Sequence, residues 1–500
     1  MKKSPLIIIL FSFAAAFPVR AEVLPNPLFS DGAVLQRNIA VPVWGTAKDG
    51  EKVTVQFAGQ SVSTVAKDGK WLVRLKPLIA SATPSAMQIA GENTVTVKNV
   101  LVGEVWICSG QSNMQWPLEK SANGVEAIAA ANDPQLRLLT VPRAAKDEPQ
   151  SEAAVKWVEC TPTTVPGFSA VGYFFGRDLR KALNVPVGLI NSSVGGTPAE
   201  AWTDRKTLEG TPGLKVILEN QAKAEAAFDP AKLVEQNKKI QEKYQQDVEK
   251  AQSEGKPKPP APRLASAPKD NIRRPCGLYN AMIAPLQPYA IAGAIWYQGE
   301  SNNGNPLQYQ TLFPAMISNW RAAWGQGAFP FLFVQIAPYK DMKPELREAQ
   351  LVSWQKTPGT AMAVITDVGD AKDIHPTKKE PVGGRLALAA RALAYGDRIE
   401  YSGPVYDSKT VDGGKIVLSF KHVGQGLVAK DGELKGFTIA GADKQFVPAE
   451  AKIVGSTVVV SSPDVPAPLA VRYGWANVPD VNFFNKDGLP ATPFRTDADK

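Results

Sequence analysis

The sequence predicts an α/β protein: a parallel sheet covered by helices on both faces, with antiparallel β regions before and after it. Three observations carry that prediction. From about residue 22 to 100, alternating runs such as "EKVTVQFAG" and "NTVTVKNVLVG" are separated by "KDGE", "AKDG" and "GEN"; short strands punctuated by Asp-Gly turns indicate an antiparallel β-sandwich. From Gly103 to about residue 400, apolar runs such as "EVWICSG", "AIAGAIWY", "FPFLFVQI" and "TAMAVIT" alternate with amphipathic helical stretches, the pattern of strands buried on both faces. After Gly396 the alternation returns in "GKIVLSF", "GFTIAGA" and "AKIVGSTVVVSS", ending in the turn-rich "FFNKDGLPATPFRTD". The expected division is therefore 22–100, 101–400 and 401–500.

The first 21 residues belong to none of these. "MKKSPLIIILFSFAAAFPVRA" has a basic start, an apolar run from Leu6 to Phe17 and a small residue at Ala21. The run is too short to span a bilayer and reads as a secretory signal peptide cleaved after Ala21. The mature chain is then expected to be soluble, exported to the periplasm or beyond, and without a membrane span. Cleavage removes Lys2, Lys3 and Arg20 and lowers the formal net charge from +8 to +5. No basic stripe interleaved with aromatics accompanies that charge, so nucleic acid is not an expected partner.

Cys108, Cys160 and Cys276 are too few for a disulfide framework. There is no CxxC pair and the two histidines lie far apart, so no metal site or cofactor is expected. Residues 215–270 break the strand–helix rhythm. Their first part, rich in Ala, Lys, Glu and Gln, reads as a solvated helical arm, and "EGKPKPPAPRLASAPKD" as a Pro-rich linker inserted in the α/β region.

Sites in parallel α/β sheets gather at the carboxyl ends of the strands, here "SGQSN", "NSSVGGT", "YQGESN" and "DVGDAKDIHP". Ser112, at the first of these ends, is either a nucleophile or the cap of the next helix. A nucleophilic hydroxyl needs a base, and only His375 and His422 exist. His422 sits in an alternating strand of the last region, where exposure is the default. His375 follows a late apolar run and lies two residues after Asp373; in an extended segment that spacing puts both side chains on one side. A carboxylate so placed holds the imidazole tautomer and stabilises the imidazolium. The order Ser, Asp, His at strand ends fits an activated serine hydrolase, while the absence of GxSxG argues against an ordinary α/β-hydrolase elbow. An oxyanion needs preorganised donors: the Ser112 backbone N–H, a backbone N–H at Gly195 or Gly196, and the side-chain amide of Gln298 or Asn302.

The blocks "SGQSNMQWPL", "SSVGGTPAEAW", "YNAMIAPLQPYAIAGAIWYQGESNN", "ELREAQL" and "DVGDAKDIHPTKKEPVGGRLAL" resemble the sialate O-acetylesterase family of the SGNH hydrolase class, and they occur in the family's order. The resemblance runs from roughly residue 24 to 497. It implies a flavodoxin-like, three-layer α/β/α hydrolase domain with accessory β domains. The implied activity is hydrolysis of acetyl esters on sugars through an acetyl-serine intermediate, without a metal. On this resemblance Ser112, His375 and Asp373 form the triad; Ser112 and Gly196 give oxyanion amides, with Gln298 or Asn302 as the class's amide side chain. The broader class places its acid three residues before the histidine rather than two, and some related acetylesterases use the glutamate of "QGE", so Glu300 competes with Asp373. Gln115 and Ala281 stand where the family pattern has Glu and Gly.

An acetylated sugar or glycan is thus the expected partner. A sialate's carboxylate would want a cation, for which Arg385 and Lys378 are available, Arg385 being the better candidate for a structural ion pair. Acetylated xylan or another polysaccharide is the rival substrate, and an inert carbohydrate-binding protein the rival class; an intact Ser112, Asp373 and His375 argue against the latter.

Overall fold

The computed structural model describes residues 22–497; the expected signal peptide lies outside the described residues. Six parallel strands form the central sheet: β1 (Thr94–Gly110), β2 (Asp133–Thr140), β3 (Val187–Ser193), β4 (Gly293–Tyr297), β5 (Phe331–Val334) and β6 (Thr360–Ala363). Their order is β2-β3-β1-β4-β5-β6, with Val158–Cys160 antiparallel on the outer edge of β2. Five helices bear on the site: α1 (Ser112–Gln115), α2 (Ala170–Leu183), α3 (Pro306–Trp324), α4 (Pro344–Lys356) and α5 (Glu380–Tyr395).

Alternation along β1 sends successive side chains to opposite faces. Val105 and Ile107 enter one apolar layer with Trp296, Phe331 and Phe333, under Phe313 and Trp320 of α3 and Leu346 of α4. Trp106 and Cys108 enter the other with Ile295, Leu332 and Val334, under Phe174 and Leu179 of α2 and Leu386 of α5. Trp296 is fully buried against Trp202, Phe313, Trp320 and Phe331, so truncating it to alanine should cost about 3–5 kcal/mol. The strands are apolar throughout because neither face meets water.

β1 belongs to two sheets. Its first part pairs with Ser81–Ala90 and Val34–Gln36 of the N-terminal region, and its last part with β3 and β4. Burial alternates up to Asn99 and is complete from Val100 onward. The residue pattern therefore changes where one strand passes from a half-solvated sheet to a covered one, and the expected division at 100/101 falls inside that strand with no turn. The antiparallel strands of the N-terminal region bury Val53, Val55, Val73 and Ile89 in a core continuous with the first layer.

The C-terminal strands form antiparallel sheets around their own core of Ile416, Leu418, Val458 and Phe483. They dock on α4 through Arg495, whose guanidinium donates twice to Glu348 at 2.7 and 3.0 Å. His422 is not simply exposed. It is half-buried, with Nδ1 2.8 Å from Glu400 and its ring 5.1 Å from that of Tyr401.

The inserted arm is helical over Lys215–Ala226 and Pro230–Ser253, with no buried residue in either helix. Pairs four residues apart, such as Lys239–Glu235 and Lys238–Glu242, suit a solvated face. The Pro-rich segment after it has no regular structure but is tied back along the second helix. Asn237 exchanges two hydrogen bonds with the Ala265 backbone (3.0 and 2.8 Å), and Tyr244 donates to the Pro259 carbonyl at 3.2 Å.

Candidate active site

Register brings three of the polar strand ends together: Gly110 of β1 lies beside Ser193 of β3 and Tyr297 of β4. Gly110 has φ +133°, and a Cβ there would sit 2.2 Å from the Tyr297 carbonyl oxygen, so only glycine lets the chain turn out of the sheet so close to β4. The Gln111 N–H then donates to that carbonyl at 2.9 Å and Val194 donates to the Gly110 carbonyl at 3.1 Å. Ser112 follows as the first helical residue of α1. It is not the cap: Gln111 holds that position, and no side chain caps the helix.

The Ser112 hydroxyl instead lies 2.8 Å from His375 Nε2. His375 arrives from β6, three strands away, a distance of about 14 Å at ordinary strand spacing. The loop from Val364 to Lys379 spans that gap and is pinned on the way. Lys340 donates to the Ala371 carbonyl at 3.3 Å, Asn113 Nδ2 to the Ile374 carbonyl at 3.0 Å, and Ala122 to the Thr377 carbonyl at 2.9 Å.

Asp373 acts on His375 by a route other than an extended i, i+2 pair. The segment bends, the Asp373 carboxylate accepts the His375 backbone N–H at 2.8 Å, and the same oxygen lies 3.5 Å from His375 Nδ1. This is an aspartate turn, with the carboxylate bonding its own chain two residues on. The Asp373 side chain is 56% exposed. Trp116 stacks on the imidazole, centroids 5.2 Å apart and planes 20° from parallel. Burial holds His375 below the usual histidine range, Asp373 pulls it back up and the nearby Lys379 charge pushes it down, so the ring is neutral at neutral pH.

Glu300 does not reach His375. It is buried at the end of β4, where Oε1 accepts from Asn113 Nδ2 at 2.7 Å and Oε2 has no partner among the described residues. Asn113 Oδ1 in turn accepts from the ammonium of Lys379 at 2.5 Å. That ammonium is buried over the rings of Trp116 and Tyr297, 5.7 and 5.4 Å from their centroids. Burial pulls Lys379 down to about 7 against the opposing charges of Glu300 and Asp373, and it pushes the Glu300 carboxyl above its usual range. A buried lysine is not expected from sequence, since Lys is mostly exposed. Its one signal was a second lysine just after the histidine motif.

The expected oxyanion donors differ in what they already bond. Gly195 is packed against Ser112, but its N–H is taken by Gln115 Oε1 at 2.9 Å. Gly196 has φ +71°, and its N–H has no partner among the described residues. Both hydrogens of Gln298 Nε2 are spent, on the Thr197 carbonyl at 3.2 Å and Asn302 Oδ1 at 2.7 Å. Asn302 Nδ2 donates one hydrogen to Glu200 at 2.9 Å and keeps one. Gln298 is therefore a support for Asn302 rather than a free donor.

Arg385 makes a two-pronged pair with Asp367 at 2.7 and 2.6 Å and also holds the Val364 carbonyl; it braces the base of the His375 loop. Lys378 is exposed. All three cysteines are free and buried. Among the described residues no group of three His, Cys, Asp or Glu side chains is placed to hold a metal ion, and no helix is long and apolar enough to cross a membrane.

The sequence model of the family described as carbohydrate esterase, sialic acid-specific acetylesterase matches residues 102–227 and 270–391. The sialate O-acetylesterase of Homo sapiens is 30% identical over 519 residues, covering 92% of this chain and 90% of that protein. Its counterpart in Mus musculus is 29% identical over 525 residues, covering 90% of each. Among solved structures, a carbohydrate acetylesterase from Xanthomonas citri has a TM-score of 0.80 at 39% identity, covering 95% of this chain and 100% of that one. A likeness of this identity and extent means that the chain belongs to the sialate O-acetylesterase family and is a carboxylic ester hydrolase.

Proposed function

We propose that the protein is a serine esterase that removes O-acetyl groups from carbohydrates, with O-acetylated sialic acids as the first substrate class. The observation that carries this is the 2.8 Å approach of Ser112 Oγ to His375 Nε2 at the carboxyl edge of a parallel sheet. In this reading neutral His375 accepts the Ser112 proton as the oxygen attacks the acetyl carbonyl. Nδ1 keeps its proton and faces Asp373, which stabilises the imidazolium as it forms. The Ser112 and Gly196 amides and the remaining Asn302 N–H hold the oxyanion. The sugar oxygen leaves with the proton from His375, and a water activated by the same imidazole releases acetate from the acetyl-serine.

The fold supports the reading. Setting β2 aside, the sheet order is second, first, third, fourth, fifth along the chain, the order of flavodoxin-like sheets; we take the domain as an SGNH hydrolase core on that ground. Export to the periplasm or beyond is the matching proposal for localisation, on the leader-like first 21 residues. A second substrate reading is acetylated xylan or another polysaccharide; the likeness to the Xanthomonas citri carbohydrate acetylesterase supports deacetylation of a carbohydrate in either reading.

The test is acetate release from 9-O-acetylated sialic acid and from acetylated xylan, beside Ser112→Ala. The variant should lose about four to six orders of magnitude in kcat. Retention of most activity in folded Ser112→Ala would end the serine mechanism, and turnover of xylan alone would promote the second substrate.

A further inference from the structure

The helical arm is not remote from the site. The Pro-rich segment that returns from it carries Arg263, and Nη1 of that guanidinium lies 3.8 Å from where a Cβ on Gly196 would be. Gly196 neighbours Gly195, whose own Cβ position is 3.2 Å from Ser112 Cβ. Arg263 therefore stands over the oxyanion loop. Its side chain is exposed and makes no hydrogen bond or ion pair among the described residues. Arg385 and Arg274 are occupied, by Asp367 and by Asp147, while Arg273 is exposed and, like Arg263, makes no hydrogen bond or ion pair through its side chain among the described residues.

The placement is built. Pro259, Pro260 and Pro262 stiffen the approach, and the reciprocal bonds between Asn237 and Ala265 fix the backbone two residues beyond Arg263. Arg273, also on this return path, lies close enough to Glu200 to act on its carboxyl. The family match stops at residue 227 and resumes at 270, so the segment that brings Arg263 to the site lies outside what the family model describes.

We propose that Arg263 determines specificity by binding a carboxylate on the acetylated sugar, and that the arm exists to hold it over the oxyanion loop. A guanidinium without a partner, beside the Gly196 loop, matches a carboxylate in shape and charge. The inference rests on the esterase reading of Ser112. Two substrate classes carry such a carboxylate, sialic acids and uronic acids.

The experiment measures acetate release by the full-length protein and by Arg263→Gln and Arg263→Lys. The substrates are 9-O-acetyl-N-acetylneuraminic acid, an O-acetylated methyl galacturonoside, the carboxyl methyl ester of each, and acetylated xylan. Wild type should prefer one free acid over its methyl ester by about tenfold in kcat/KM, the size expected for a hydrogen bond to a charged group. Arg263→Gln should bring that ratio close to one, mainly through KM, with Arg263→Lys between them. The pair that shows the preference identifies the sugar acid. Equal loss on acid and ester would place Arg263 at the reacting carbonyl instead and overturn the proposal, as would an unchanged ratio. If wild type turns over an acetylated sugar without distinguishing acid from ester, the esterase reading stands and the Arg263 inference falls. Release from none of the five substrates would take both down.

Discussion

Two loops bring a carboxylate to the neighbourhood of Ser112, and they hold it in opposite ways. The loop after β6 keeps Asp373 largely in water, tied to its own backbone and 3.5 Å from the imidazole. The end of β4 buries Glu300, bonded to Asn113 and facing the charge of Lys379. Exposure weakens a charge through solvent screening, so Asp373 must act by position. Burial strengthens every interaction of Glu300 but removes it from the histidine. In the proposed mechanism the first carboxylate serves proton transfer; the second bonds Asn113, which holds the Ile374 carbonyl of the loop that carries His375.

The largest effect that separates the two is on turnover. Asp373→Asn should lower kcat by about 10³-fold or somewhat less, since its parallel in buried triads costs about 10⁴-fold and this one is half in water. Because Asp373 raises the His375 pKa, the acid limb of kcat/KM should also move to lower pH. Glu300→Gln should stay within about a hundredfold of wild type, the range of a lost hydrogen bond to a charged group. Steady-state pH profiles of both variants decide the matter. A reversed order, with Glu300→Gln the crippled one, would make Glu300 the acid partner and break the comparison.

The buried side of the comparison should show in stability rather than rate. Lys379 titrates at about 7 when folded against 10.5 as its ordinary value. Below pH 7 both states hold the proton and the burial cost is fully present. Between pH 7 and 10.5 the unfolded chain binds more protons, so stability rises with pH relative to a chain lacking this group, by up to roughly 1.4 kcal/mol per pH unit. Chemical denaturation of wild type and Lys379→Met at pH 7, 8.5 and 10 should give a difference that moves in favour of wild type as pH rises. A flat difference would mean that the lysine keeps its charge throughout.

What could be read in the sequence follows from what each residue's environment does to local pattern. The strand ends were legible because apolar runs stop abruptly at polar residues, and the pairing of Ser112 with His375 was narrowed by having two histidines to choose from. The shared strand Thr94–Gly110 was not legible, since passing between sheets needs no turn and leaves only a change in alternation. Gln298 looked like a donor because its amide type is right; that both its hydrogens are spent depends on the turn that brings Asn302 back to it four residues on and on Thr197, which the chain brings in from afar. Lys379 and Arg263 escaped for opposite reasons. One is a charge where burial is exceptional, and the other sits in a proline-rich run whose lack of periodicity says nothing about where it ends.

Trp116 touches the His375 loop at two points, His375 and Lys379, and its replacement gives the smallest effect and the finest test. Its ring covers the His375 imidazole on one side and carries the Lys379 ammonium 5.7 Å from its centroid. Aromatic stacking of this kind is worth about 0.5–1.5 kcal/mol beyond area, so Trp116→Leu should lower kcat roughly three- to tenfold. Uncovering the imidazole admits water and relieves the burial that depresses its pKa, which should shift the acid limb of kcat/KM to higher pH. That is the opposite direction from Asp373→Asn. Two variants that both slow the enzyme but move its pH profile apart would separate the covering of the histidine from its charge partner. A shift in the same direction for both would mean that Trp116 acts by holding Asp373 in place rather than by keeping His375 dry.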